Sequence, residues 1–97
     1  MIRIKTGVTP HNLVILAAAA NIAQILDITL VVTSGTDGTH KTGSKHYSGD
    51  ALDFRTVNLI ASIIPAIIAR LQRRLGPAYQ VLLETSPPHI HVEYDPH

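Results

Sequence analysis

Two short segments alternate apolar and polar residues with a period of two, and this alternation constrains the fold more than any other feature of the chain. They are "ALDFR", residues 51–55, and "HIHVEY", residues 89–94. Side chains at i and i+2 of an extended strand share a face. Leu52 and Phe54 therefore face one way, and Ala51, Asp53 and Arg55 the other. In the second segment Ile90 and Val92 take one face, and His89, His91 and Glu93 the other. One face reads as core, and the opposite face gathers groups that bind protons or metal.

The rest of the chain supplies what such a sheet packs against. A first helix starts after Thr9 or Asn12 and runs to about Leu26, with Leu13, Leu16, Ala17, Ala20, Ile22 and Ile25 spreading apolar contact over a broad face. "ITLVVTS", residues 28–34, is β-branched and short, and reads as a strand. "GTDGTHKTGSKHYSG", residues 35–49, is a polar loop without a helical period. After the 51–55 strand comes a second helix, with Ser62 as N-cap and Pro65 in its first turn. Ile64, Ile67, Ile68, Leu71 and Leu75 form its buried stripe, and Gly76 ends it. "AYQVLLE" and "HIHVEY" are two more strands, separated by "TSPP". Helix, strand, loop, strand, helix, strand, strand predicts an α+β fold. A small, mainly antiparallel sheet carries helices on one face and leaves the other for the polar groups.

Ninety-seven residues make a single domain, 1–97, in which only about 60–65% of the chain's surface can be buried, so a bound metal would help hold it. Hydrophobic residues at 45% and charged residues at 15% describe a globular chain. The net charge of +1 argues against nucleic acid as an electrostatic partner. No apolar run approaches the roughly 18–20 residues of a membrane span, so no membrane partner is expected. "LVILAAAANIAQIL", following Arg3 and Lys5, imitates a secretory signal, but Pro10, His11 and Asn12 separate the charges from the apolar run. A buried helix is the better reading, and synthesis in the cytoplasm is expected.

The chain has no cysteine, which excludes disulfides and thiolate metal sites and leaves metal binding to His, Asp and Glu. The polar face offers Asp53, His89 and His91, and His46 stands near the end of the glycine-rich loop. Two imidazoles and a carboxylate make a three-ligand zinc site whose fourth position is left for water, the mark of a catalytic centre. His11 and His97 read as ordinary structural or terminal histidines. The Arg70, Arg73 and Arg74 run reads as a solvated helix end.

At this point the residues resemble a known family. "SKHYSGDALDFRT" fits S-x-H-x-x-G-x-A-x-D and "HIHVEYD" supplies the later H-x-H. Together they look like the zinc D-alanyl-D-alanine carboxypeptidases and their L-alanyl-D-glutamate endopeptidase relatives, within a wider group that includes lysostaphin-type peptidases and the hedgehog signalling domain. The resemblance covers roughly residues 28–95. It implies zinc on His46, Asp53 and His91, one ion per chain, with His89 as the base beside it and Glu84 and Glu93 as carboxylate alternatives. It implies hydrolysis of peptidoglycan stem peptides at the cell wall or periplasm, as in a stand-alone phage lysin; a zinc-binding module without activity is the alternative. Where such carboxypeptidases carry "SGxR" this chain reads "SGTD", with Asp37 in place of the arginine. Arg55, on the face of Asp53, is the expected replacement at the substrate, with His40, Ser44 and Tyr47 as further substrate contacts.

Overall fold

The computed structural model describes residues 2–3, 9–34, 50–85 and 87–96. Strand β1 (Ile2–Arg3) is followed by helix α1 (Pro10–Leu26) and strands β2 (Leu30–Ser34) and β3 (Ala51–Arg55). A 3-10 turn (Ala61–Ile63) leads into helix α2 (Ile64–Leu75), and strands β4 (Tyr79–Thr85) and β5 (Pro88–Tyr94) complete the chain. Among the described residues the five strands form one sheet in the order β1-β2-β3-β5-β4. Every pairing is antiparallel except the short β1–β2 contact, which is parallel. The α+β expectation holds. The two residues of β1 are an addition, because a strand of that length has no period to detect.

Both helices pack on the sheet face that carries Leu52, Phe54, Ile90 and Val92, each fully buried. Ile15 and Ile22 reach this core from α1, and Ile67 and Leu71 from α2, in agreement with the stripe expected for the second helix. The expected stripe of α1 is corrected. Ile15, Leu16, Ala18, Ala19, Ile22 and Ala23 face inward, while Leu13 and Ile25 stand 59% and 57% exposed. Residues 13–26 contain no charge at all, so their hydrophobicity carries no phase, and only packing decides which side is buried. Thr9 caps α1 as expected, its hydroxyl accepting from the Asn12 N–H. Asp27 closes the helix in the left-handed region at φ 55°.

Ser62 is not the cap of α2: it lies in the 3-10 turn, and the α-helix begins at Ile64 without a side-chain cap. Pro65 needs no N–H partner there, and the 3-10 turn supplies the lead-in instead. At the far end Gly76 adopts φ 86°, which turns the chain toward β4. Gln72 fastens that corner. Its Nε2 donates to the Gly76 and Tyr79 carbonyls at 3.1 and 2.7 Å, and its Oε1 accepts from the Val81 N–H at 3.1 Å. β4 is thereby set against β5, with Glu84 opposite His89 and Leu82 opposite His91.

A candidate metal centre on the open face of the sheet

The register of β3, β5 and β4 builds the site. Asp53 pairs with His91, and Arg55 pairs with His89, so two rows of side chains cross the open face. Directly opposed residues stand about 4.5–5.5 Å apart at Cβ, and successive rows about 6.8 Å apart along the strand. Asp53 and His91 thus meet head-on, and His89 reaches them from the next row with Glu84 beside it. β2 carries one extra residue against β3 between Val32 and Ser34, the local kink of a bulge at the level of Asp53.

The distances are short. His91 Nδ1 lies 2.8 Å from Asp53 Oδ1 and 3.8 Å from Glu84 Oε1. His89 Nε2 lies 2.8 Å from Glu84 Oε1 and 3.6 Å from Asp53 Oδ1. One ligand atom from each of Asp53, Glu84, His89 and His91 falls within 4.8 Å of all the others. Donors around a tetrahedral ion at about 2.1 Å stand roughly 3.4 Å apart, and the observed separations bracket that value. Two nitrogens and two oxygens with no sulfur also suit zinc or a neighbouring divalent ion. These four residues can hold a metal ion.

The second ring nitrogens show how the imidazoles are aimed. His89 Nδ1 is 2.6 Å from the Pro87 carbonyl oxygen. A carbonyl can only accept, so Nδ1 carries a proton, and Nε2 is turned toward Glu84 and the cluster. His91 Nε2 is 3.0 Å from Glu93 Oε1, on the side of the ring away from Asp53. A carboxylate behind an imidazole in this way fixes its tautomer and raises its basicity toward a metal. Glu93 is thus placed to orient His91 from behind the ring. Burial pulls the pKa of His91 down, but the hydrogen bond and charge of Asp53, with Glu93 and Glu84 beside it, outweigh this and hold it above 6.5.

The expected site residues separate as follows. Asp53, His89, His91 and Glu84 come together, and Glu93 stands behind them. Arg55 lies beside them, lining a cleft of about 680 Å³ that Asp53 and His89 also line. His46, expected as a ligand, and His40, Ser44 and Tyr47, expected at substrate, lie outside the described residues. His11 stacks on Tyr94 with ring centroids 3.7 Å apart, a packing role. Sequence reasoning missed the Pro87 carbonyl and the apolar far wall of the cleft, Val57 with Pro87 and Pro88. The proline pair was the available signal, but its carbonyl shows a use only once β5 is folded. In comparisons with known proteins the chain matches no family model, no curated protein and no solved structure.

Proposed function

We propose that this chain is a zinc-dependent peptidase that hydrolyses peptide bonds in peptidoglycan stem peptides, of the D-alanyl-D-alanine carboxypeptidase or L-alanyl-D-glutamate endopeptidase type. The observation that carries the reading is the convergence of Asp53, Glu84, His89 and His91 within 4.8 Å, with Asp53 and His89 also lining a cleft. The resemblance of "SKHYSGDALDFRT" and "HIHVEYD" to the zinc peptidases gives the cluster its chemistry. Bound zinc supplies a water acidified to a pKa of about 7 and a Lewis acid for the scissile carbonyl.

The chain's own groups do the rest. Asp53 and His91, nearly buried, would hold the ion together with His46, which the resemblance adds, and Glu93 is placed to steady the His91 ring. His89 Nε2 and Glu84 Oε1, 2.8 Å apart, form a pair able to keep one proton between them. That pair accepts the proton that the attacking water loses and passes it to the leaving nitrogen as the C–N bond breaks. One water is consumed, and a carboxylate and an amine are released. Glu84 is the most exposed of the group, its side chain 48% accessible against 11–17% for the others, so it has freedom to move with the proton.

Digestion of purified peptidoglycan and defined stem peptides, with products read by mass spectrometry, tests the proposal. Release of terminal D-alanine, or scission between L-alanine and D-glutamate, is expected with zinc and is lost with chelator. A second reading is favoured by the donor count: if all four clustered residues ligate, no position remains for water and the ion only holds the fold or a partner. In that case His89→Ala loses zinc. The peptidase reading expects this variant to keep zinc and lose turnover.

A further inference from the structure

Resting on the peptidase reading, we infer that Arg55 is a carboxylate-recognising residue that restricts the enzyme to one substrate class. The residue on the leaving side of the cut must carry a free carboxylate on the carbon bonded to the scissile nitrogen. Arg55 stands one row from Asp53 on the same face of β3 and opposite His89 on β5. It is half-buried, and it lines the same cleft as Asp53 and His89. Among the described residues no carboxylate forms an ion pair with it; Asp53, Glu84 and Glu93 pair with His89 and His91 instead.

The surroundings sharpen what Arg55 can bind. Val57, Pro87 and Pro88 make the adjoining wall apolar. The Thr56 hydroxyl is already committed, donating to the Pro88 carbonyl at 3.1 Å. A guanidinium with no carboxylate partner among the described residues, set against apolar walls, is a poor place for water to compete and a strong one for a carboxylate, which it grips through two parallel N–H donors. Reach agrees with this. The Asp53 and Arg55 rows are about 6.8 Å apart, while in a peptide the carbon of such a carboxylate lies three bonds from the scissile carbonyl carbon, at most about 4 Å away. A substrate carbonyl at the metal cluster therefore brings the carboxylate of the leaving residue within the span of the arginine side chain.

The same requirement joins the two cuts that the peptidase reading leaves as alternatives. In a D-alanyl-D-alanine terminus, the leaving residue has its carboxylate free because the chain ends there. In L-alanyl-D-glutamate, the glutamate continues the stem through its side-chain carboxyl, so its α-carboxylate is free beside the scissile nitrogen. An internal bond between residues joined through their α-carboxyls has no such group. The apolar wall then receives whatever else that carbon carries, a methyl or a short methylene chain.

The test pairs binding with turnover. N-acetyl-D-alanyl-D-alanine and its terminal carboxamide are titrated into the zinc-loaded protein and followed by NMR. Cleavage of both is measured in parallel with L-alanyl-γ-D-glutamate and its α-amide. The parent is expected to prefer each acid by about 10- to 100-fold. Arg55→Gln removes the preference, Arg55→Lys restores part of it, and zinc content is unchanged in both. An undiminished preference in Arg55→Gln, or equal use of acid and amide by the parent, overturns the inference while leaving peptidase activity standing. Acid-selective binding that depends on Arg55 but produces no cleavage overturns the peptidase reading and keeps the carboxylate site.

Discussion

Replacing Asp53 by asparagine separates a metal ligand from a merely structural carboxylate. The change keeps the shape and leaves an oxygen to accept from His91 Nδ1, now 2.8 Å from the carboxylate, but removes the charge. Both side chains are nearly buried, so solvent screens the pair little. A hydrogen bond to a charged group contributes about 1.5–3 kcal/mol, and the asparagine retains part of it, so the metal-free variant should lose about 1–2 kcal/mol. With zinc the variant should lose more. An ion at a hundred times its Kd stabilises the parent by about 2.7 kcal/mol. Loss even of a group that only orients a ligand weakens metal binding by up to about 100-fold. An equal weakening here leaves a zinc-dependent gain of only about 0.4 kcal/mol at the same concentration. Urea denaturation of both proteins, with chelator and with zinc, measures the four stabilities. An identical zinc-dependent gain in parent and variant would show that Asp53 holds no metal, and the site assignment would fall.

Other expectations follow from the same geometry. Glu93→Gln keeps an acceptor for His91 Nε2 but drops the charge behind the ring; zinc affinity should fall about 10- to 100-fold in competition with a chromophoric chelator. An unchanged affinity would mean that the 3.0 Å contact does not orient a ligand. His91 has a pKa raised above 6.5, so its stabilising contribution in the metal-free protein is fully present below 6.5 and is lost as pH rises through the higher folded value. Chelator-treated parent should therefore lose melting temperature over that interval, whereas His91→Gln should show no such step. Phe54→Ala removes a fully buried ring from the central strand and should cost about 3–5 kcal/mol in urea unfolding. A loss below about 1 kcal/mol would contradict the placement of the core on the helix side of the sheet.

Legibility in the sequence followed the strength of the local pattern. The strand around Asp53 and the strand around His91 were readable because alternate burial leaves a period of two, and that period put Asp53, His89, His91 and Glu93 on one face. α2 was readable from its polar and apolar sides, while its lead-in turn was not, since Ser62 has the composition of a cap without the position of one. α1 was readable as a helix but not in its orientation, because an uncharged, alanine-rich segment offers the core every side equally. Leu13 and Ile25 are outside for that reason.

What the sequence determined by itself was the set of faces: alternation is a property of the extended backbone and requires no knowledge of neighbours. It also limited any metal site to histidine and carboxylate donors. What only the tertiary structure decided was register and aim. Whether Asp53 meets His91 or His89 depends on a pairing between residues 38 apart in the chain, and a slip of one residue would turn the two strands' polar groups to opposite faces. The role of Glu93 likewise follows from which ring nitrogen it reaches, and that of Glu84 from the β4–β5 pairing that sets it opposite His89. These are distances between side chains brought together by folding, and no local pattern encodes them.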